Sequence, residues 1–417
     1  MNARNPAMAF PAAAMAGAQA AVAQRLLNAV LFITVLMSFL AFIEPSPHDV
    51  LMLVLAAVCI TARVSFDRKL LPLLILLIAF LTGGLLALIH VGDNAKNIQY
   101  AGTSAYLCIA AMIFACLFCS GDMVRLNTMR VAYTIAAICA TTTGYIGFFH
   151  LLPGSDMFLL AERVSGTFKD PNVYGPFLIL PILLLILDTL TSKIRLGGVM
   201  VLVFLLGGLF LSFSRGAWIH FAISAIVAFG ILVVSTKEPQ RRARIVLFGL
   251  LAVGGIAILL IALLSVGSIH DLFVVRAQAI QSYDVGPGGR FWMQELSLST
   301  IVQNPNGLGP FEFDRIHGMQ QHNVYLQGFL VYGWLGGASY LAMVFVTLFV
   351  GLRPALIRTP WQKFLIAAYG GFAGEVVEGA IVDTDHWRHF FLLLGLVWGL
   401  TAATINYQRR PRQFRYA

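Results

Sequence analysis

Charged residues are scarce in this sequence. Asp, Glu, Lys and Arg together make up 11% of its 417 residues, whereas 59% are hydrophobic. This composition excludes an ordinary soluble domain and is typical of a protein that crosses a membrane many times. Polar segments are also few, and only residues 151–172 and 267–321 can form long loops outside a membrane. No repeat of fixed period stands out, which disfavours a transporter, because many transporter folds contain internal repeats.

Cysteine is rare as well, and all five cysteines lie in apolar runs. Cys116 and Cys119 form a CxxC pair, but without two further ligands this pair gives little support for a zinc or redox site. We therefore predict packing roles for the cysteines and no metal site. The first 24 residues lack the continuous apolar core of a cleaved signal peptide, since Pro and Gly interrupt it. We predict that residues 1–25 form a mobile tail or a surface helix.

Apolar runs of roughly 17 to 25 residues, each long enough to cross a bilayer, fill most of the remaining sequence. They predict an all-α polytopic membrane protein with about twelve transmembrane helices in a single domain, residues 26–406, followed by a basic tail, residues 407–417. The predicted spans are 26–43, 48–65, 70–91, 101–119, 129–150, 173–190, 197–213, 217–235, 245–266, 323–350, 364–382 and 387–406.

The distribution of charge predicts the orientation of these spans. Most of the 28 basic residues fall in alternate loops and at the two ends of the chain, which places both termini in the cytoplasm. Acidic residues show the opposite bias, since of 19 only Asp67, Asp122, Asp188 and Glu238 fall on that side. This bias explains the net charge of +9 without nucleic acid binding. The loops 151–172 and 267–321 then face outward and carry the polar chemistry.

Three arginines are candidate ligands for an anion on the outer face. Arg163 lies in the first outer loop, Arg215 lies in the short "SFSRGAW" connection between two spans, and Arg290 begins a predicted helix, residues 290–303. A guanidinium group offers a planar fork of donors that matches phosphate oxygens. A snorkelling arginine at the interface is an equally simple reading of Arg215. If two or three arginines supply the positive charge, no cofactor is needed.

The stretch "QQHNVYLQGFLVYGWLGG" places His322 and Asn323 where the second outer loop meets a span. A neutral imidazole can accept a proton near pH 7, so His322 is a candidate base that Asn323 or Gln321 would orient. A polar helix cap is the simpler interpretation, and Gly333 and Gly336 could serve only helix packing. Because ATP is not available outside the cell, an enzyme there needs a pre-activated substrate delivered by the membrane, such as a polyprenyl diphosphate glycan.

A second polar group lies in "GEVVEGAIVDTDHWRHFF", where Glu375 and Glu378 fall within a span. Asp383, Asp385, His386, Arg388 and His389 follow at its outer mouth. Ionisable residues at membrane depth indicate a functional site by default. We expect Glu378, Asp385 and Arg388 either to line an acceptor sugar site or to pair internally, for example Asp385 with Arg388.

Taken together, these motifs resemble the O-antigen ligase and polymerase superfamily of bacterial membrane glycosyltransferases. His322 and Asn323, nine residues, then Gly333 and Gly336 match the HNx9GxxG signature of that superfamily, and "GTFKDPNVYG", "SRGAW" and "GGRFWMQELSLSTIVQNPNGLGPFEF" resemble further family blocks in the expected order. The likeness covers roughly residues 160 to 340. It implies a GT-C type fold with a long periplasmic loop before span 10, and metal-independent, inverting transfer from an undecaprenyl diphosphate glycan.

Carried onto this chain, the resemblance implies that Arg215 and Arg290, with Arg163 less directly, bind the diphosphate and that His322 activates the acceptor hydroxyl. It also implies a bacterial inner-membrane location with the active site facing the periplasm. The favoured prediction is an O-antigen ligase acting on lipid A core. The alternative is a polymerase that joins lipid-linked repeat units of O-antigen or exopolysaccharide, since HWR endings resembling "HWRHFF" occur in members linked to exopolysaccharide. A transporter of the lipid-linked glycan is the least favoured prediction.

Overall fold

The computed structural model describes residues 9–91, 94–278 and 284–409. The start of the predicted N-terminal tail, the end of the predicted basic tail and residues 279–283 of the second outer loop lie outside the described residues. Within the predicted tail, residues 1–25, the chain is helical from Ala9 onward.

The described residues form sixteen α-helices, three short 3-10 helices and one two-stranded hairpin. The α-helices are α1 (Ala9–Leu36), α2 (Pro47–Thr61), α3 (Leu71–Val91), α4 (Ala95–Phe118), α5 (Met123–Phe148), α6 (Pro171–Phe177), α7 (Ile179–Thr191), α8 (Leu196–Leu211), α9 (Arg215–Ser235), α10 (Pro239–Leu264), α11 (Gly267–Arg276), α12 (Arg290–Gln303), α13 (Glu312–His317), α14 (Val324–Ala355), α15 (Gln362–Glu378) and α16 (Arg388–Arg409). The hairpin pairs β1 (Leu159–Leu160) antiparallel with β2 (Arg163–Val164), and the 3-10 helices are Met37–Phe39, Arg68–Leu70 and Ser155–Phe158.

The all-α polytopic membrane architecture is confirmed. Across the described ranges, nine helical segments are long and apolar enough to cross a membrane, with α6 and α7 acting as one of them. Each of the twelve predicted spans overlaps a helix. The three predicted spans that are not among the nine correspond to α2, α8 and α15, which have 15, 16 and 17 residues. At about 1.5 Å per residue these are shorter than a hydrocarbon core of about 30 Å.

Burial separates the centre of the helix bundle from its edge. In the apolar window of α16, 83% of the residues are buried, whereas in that of α10 the fraction is 6%. Helix α16 therefore forms the middle of the bundle, and α10 exposes nearly all of its apolar surface as a lipid-facing helix does.

Small residues allow the central helices to approach closely. A Cβ atom on Gly83 of α3 would lie 2.5 Å from the backbone nitrogen of Gly336 on α14, and one on Gly399 of α16 would lie 2.7 Å from the carbonyl oxygen of Ala115 on α4. Neither position has room for a side chain, as expected where membrane helices pack through glycine. Gly336 is thus a packing glycine.

Gly333 has a different role, because α14 is broken there. Its backbone angles, φ 67° and ψ −173°, are not helical. The tight turn predicted at "NPNGLGP" docks on this break, with Leu308 N donating to Leu330 O at 2.6 Å and Trp334 N donating to Pro305 O at 2.8 Å. Helix α12 coincides with the helix predicted over 290–303. The loop predicted over 267–321 is therefore attached to the bundle at the break in α14.

Candidate functional site

His322 and Asn323 divide two tasks at the start of α14. Asn323 is the N-cap, and its side-chain oxygen accepts from the backbone N–H groups of Tyr325 at 3.0 Å and Leu326 at 3.3 Å. His322 has a left-handed backbone, φ 49°, a conformation uncommon for a residue other than glycine. The cap is thus Asn323 and not His322.

The imidazole of His322 faces a carboxylate. Its Nδ1 atom lies 3.6 Å from Oδ2 of Asp383, and the His322 side chain is 37% exposed. Burial of Asp383 raises the pKa of that carboxyl group, and the neighbouring histidine opposes the rise. Because Asp383 lies on the Nδ1 side of the ring, Nε2 is the nitrogen that can meet a reacting group.

The turn that follows α15 holds this pair together. Val324 N donates to Gly379 O at 2.8 Å, and the hydroxyl of Tyr325 donates to Val376 O at 2.5 Å. The first turn of α14 is therefore fastened to the end of α15, four residues before Asp383. This attachment explains how residues 61 positions apart come to face one another.

Arg215 and Arg290 share one acidic partner. Arg215 is the first residue of α9, whose N-cap is Ser214, and Arg290 is the first residue of α12. Nη2 of Arg215 lies 3.2 Å from Oδ2 of Asp284, and Nη1 of Arg290 lies 3.7 Å from Oδ1 of the same residue. The Asp284 side chain is only 5% exposed, while the arginines keep 24% and 20% exposure. The two guanidinium groups therefore converge around Asp284 and remain accessible.

Arg163 contacts the short connection between α8 and α9, directly before Arg215. Its Nε donates to Ser212 O at 3.0 Å and its Nη2 donates to Oδ1 of Asn172 at 2.9 Å. The hydroxyl of Ser214 donates to the same Asn172 oxygen at 2.8 Å. Arg163 thus braces the segment that presents Arg215. Lys169 instead pairs with Glu44 at 2.6 Å.

Helix α12 connects the arginines to the histidine. Gln294, one turn after Arg290, donates from its side chain to Gln321 O at 3.3 Å, next to His322. Gln321 itself is buried and donates to the side chain of Gln327 at 2.6 Å. Four residues of helix rise only about 6 Å. Arg290 and His322 therefore lie at the same end of the bundle.

Glu378 is placed inside the bundle and not in an open cleft. Its Oε2 lies 2.7 Å from Nδ1 of His220, whose Nε2 lies 2.9 Å from Gly371 O, and both side chains are fully buried. A Cβ atom on Gly216 would lie 2.6 Å from Oε1 of Glu378. Glu378 thus packs against the first turn of α9, directly after Arg215.

Asp385 and Arg388 do not pair with each other, contrary to the internal pairing considered from the sequence. Asp385 accepts from the hydroxyls of Tyr100 at 2.7 Å and Tyr332 at 3.2 Å. Arg388 donates to both carboxylate oxygens of Asp49, at 2.8 Å and 2.7 Å. Each residue binds partners on helices that are distant in the chain, and sequence spacing does not reveal such contacts.

A surface cleft of about 880 Å³ lies beside these residues. It is lined by Asp49 and Arg388, by the aromatic side chains of Tyr100, Tyr106 and Phe311, and by His386. Burial lowers the pKa of His386, which keeps this ring neutral. Aromatic faces beside carboxylate and guanidinium groups are suited to a polar molecule with apolar faces, such as a sugar ring.

Two site residues were missed at the level of sequence. Asp284 stands just before the glycines that introduce Arg290 and was not singled out. Asp383 was noted within its acidic segment but was not linked to His322. Asp284 could have been found from its position close to Arg290 in the sequence, because an acidic residue beside an arginine predicts an ion pair between them. Among the residues that the structure describes, no group of three or more His, Cys, Asp or Glu side chains could hold a metal ion.

One segment of the chain, which contains most of these candidate residues, is similar to a known protein family. Residues 200–341 match the family model described as Wzy_C, O-antigen ligase. The match includes Arg215, Arg290 and His322 and ends before Asp383. No curated protein matches the chain. The resemblance predicted from the sequence is thereby confirmed over this segment: residues 200–341 of this multi-pass membrane protein are similar to the O-antigen ligase family.

Proposed function

We propose that this protein is a membrane glycosyltransferase that transfers a glycan from undecaprenyl diphosphate to a hydroxyl group of lipid A core. The observation that carries the proposal is the convergence of two units at one end of the bundle. One unit is His322 with Asp383, and the other is Arg215 and Arg290 around Asp284. Together they offer a base and an anion site, which glycosyl transfer from a diphosphate requires.

In the proposed reaction His322 acts as the general base. Nε2 takes the proton of the acceptor hydroxyl while its oxygen forms a bond to the anomeric carbon of the donor sugar. Asp383, at Nδ1, orients the ring and stabilises the imidazolium that forms, as a carboxylate does beside other catalytic histidines. Attack opposite to the leaving diphosphate in a single displacement inverts the anomeric configuration.

The arginines stabilise the leaving group. When the bond from the anomeric carbon to the diphosphate oxygen breaks, its electron pair passes to the diphosphate, whose negative charge increases. Arg215 and Arg290 would take this charge with planar donor pairs, and Arg163 would support them through the Ser212–Ser214 segment. In the resting site Asp284 occupies the position between the guanidinium groups that a phosphate would take. This supply of positive charge supports a metal-independent reaction.

This surface cleft, lined by Asp49 and Arg388, is the proposed acceptor site. Arg388 lines it directly, and Asp385 fixes the hydroxyl of Tyr100 at its wall. A path of side chains, Gln321 to Gln327 to Tyr100, runs from the neighbourhood of His322 to this wall. Asn323, as the helix cap, would position the base, and Glu378, being buried, would support Arg215 through Gly216.

The proposed setting is the bacterial inner membrane, with twelve spans in a GT-C type arrangement, both termini in the cytoplasm and the site facing the periplasm. Two isosteric variants test the orientation. A membrane-impermeant thiol reagent added outside spheroplasts is expected to label Ser299→Cys, on α12, and not Ser192→Cys, in the connection after α7. Labelling of Ser192→Cys alone would reverse the proposed orientation.

The catalytic assignment is tested with purified full-length protein, a lipid-linked glycan and lipid A core. His322→Ala is expected to abolish transfer, whereas His150→Ala is expected to retain it. The two histidines are closely matched, since each has φ 49° and each lies beside an aspartate, Asp383 and Asp156 respectively. Full activity of His322→Ala, or equal loss in both variants, would remove His322 from the mechanism.

The arginines are tested in the same assay. Arg290→Ala is expected to abolish transfer, while Arg315→Ala, on an exposed side chain paired with Glu312, is expected to leave transfer unchanged. Glycolipid from a deletion strain then distinguishes the acceptor. Core without repeats and accumulated lipid-linked polymer indicates a ligase, core with a single repeat indicates an O-antigen polymerase, and unchanged lipopolysaccharide with lost exopolysaccharide indicates an exopolysaccharide polymerase.

A further inference from the structure

A basic pocket lies at the end of the bundle opposite to the candidate site. We define it by Arg130 on α5, Asp188 on α7, Lys193 and Arg195 in the α7–α8 connection, and Lys363 on α15. Helix α15 has Lys363 in its first turn and Glu378 at its end. At 1.5 Å per residue these positions are separated by about 22 Å along the helix. The pocket has a volume of about 500 Å³ and is separate from the residues proposed for transfer.

Positive charge exceeds negative charge in the basic pocket. Asp188 is its single acidic lining residue, and it is already shared by Arg130, at 2.6 Å, and by Lys363. Lys193 and Arg195 are exposed at the mouth, and within the described ranges no carboxylate pairs with either. Four cations around one carboxylate leave a concentrated positive potential in a concave site, which favours a bound anion.

Three other carboxylates at this end of the bundle each form an ion pair with a cation. Asp67 pairs with Lys69, Asp122 pairs with Arg125, and Glu238 pairs with Arg358. Asp188 differs from these three carboxylates, because it lies in a pocket that four cations line.

The walls of the pocket identify the kind of anion. Its lining includes the apolar side chains of Leu184, Leu185 and Ile135. The apolar surface continues beyond the pocket along α5 and α8, where Val131 and Val203 are each 45% exposed and Met200 is 64% exposed. These side chains extend from the charged mouth toward the middle of the spans. A ligand that satisfies both parts has a phosphate group at one end and hydrocarbon chains at the other.

We propose that the basic pocket binds the phosphate headgroup of an anionic membrane phospholipid, with the acyl chains lying on the exposed apolar surface of α5 and α8. Basic pockets between membrane helices bind such headgroups in other proteins. The proposal is independent of the transfer reaction, since it uses no residue of the candidate site.

Native mass spectrometry of the purified full-length protein tests the proposal by titration with phosphatidylglycerol or with phosphatidylcholine of identical chains. The wild type is expected to bind phosphatidylglycerol more tightly. The double variant Lys193→Gln, Arg195→Gln is expected to weaken that binding about 30-fold, since each cation near an anionic lipid contributes a factor of about five. Binding of phosphatidylcholine is expected to stay unchanged.

The matched control is Arg242→Gln, Arg244→Gln, which removes two exposed cations from the start of α10, at the same end of the bundle but outside the pocket. This control is expected to bind phosphatidylglycerol as the wild type does. Equal weakening in both double variants, or no preference of the wild type for phosphatidylglycerol, would overturn the proposal. Displacement of phosphatidylglycerol by inorganic phosphate at millimolar concentration would show a free-anion site instead of a lipid site and would also overturn it.

Discussion

Replacing Gly333 with alanine should destabilise the protein through the break in α14. At φ 67° and ψ −173° the backbone of Gly333 lies in a region that is essentially restricted to glycine, and holding another residue there costs about 1 to 3 kcal/mol. An added Cβ would also lie 2.7 Å from the carbonyl carbon of Asn306 and 2.8 Å from Pro305 O. Overpacking of this kind costs about 1 to 3 kcal/mol more.

The expected total is a loss of about 2 to 6 kcal/mol, a large part of the 5 to 15 kcal/mol that stabilises a typical protein. The strain should act first on the docked turn, whose two backbone hydrogen bonds, Leu308 N to Leu330 O and Trp334 N to Pro305 O, flank the break. Gly333→Ala is therefore expected to lower Tm in detergent and to increase chymotrypsin cleavage after Leu308 and Phe311.

Gly230→Ala is the matched control, because Gly230 is a helical residue of α9 with no atom within 4 Å of the added Cβ. It should leave Tm nearly unchanged. If Gly333→Ala had the same Tm as Gly230→Ala and showed no new cleavage, the left-handed backbone at Gly333 and the docking of the turn on it would both be refuted.

Three further outcomes are expected. Asp383→Asn should lower the turnover rate of transfer about tenfold, because His322 loses the carboxylate that orients its ring. An unchanged turnover rate would show that Asp383 only packs. Asp284→Asn leaves two partly buried guanidinium groups without their shared carboxylate, which costs up to about 3 kcal/mol, so its Tm should fall clearly below that of Glu238→Gln, which breaks an exposed ion pair. Transfer should continue in excess EDTA, and its loss, with recovery on adding Mg²⁺ or Mn²⁺, would contradict charge stabilisation by arginine alone.

Local sequence features were sufficient to predict the apolar helices, but α11 and α13 were not predicted. Each apolar run became helical because a chain in a bilayer must satisfy its backbone hydrogen bonds internally, and this depends on composition over a single segment. The start of α12 at Arg290 could also be predicted from neighbouring residues, since the glycines just before it end the preceding loop. The arginine and histidine candidates were also local, as each stands where a polar loop meets an apolar run.

Contacts between residues that are distant in the chain could not be predicted in this way. The HNx9GxxG spacing is compatible with an unbroken helix, and the break at Gly333 exists because residues 305–308, more than twenty positions earlier, dock there. Arg388 binds Asp49, 339 positions away, and not its neighbour Asp385. These contacts depend on which helices lie side by side, and one segment carries no information about that choice.

The end of α15 explains how the proposed base and the proposed anion site, on separate helices, keep a constant spacing. On one side the carbonyl oxygen of Gly379, directly after α15, accepts a hydrogen bond from the backbone N–H of Val324 and so holds His322. On the other side buried Glu378 packs against Gly216, where any side chain would meet its Oε1 at 2.6 Å, and so holds Arg215. Since His220 fixes Glu378 from within the bundle, a movement of α15 would carry both groups together. The spacing of His322 and Arg215 is therefore set by packed helix ends.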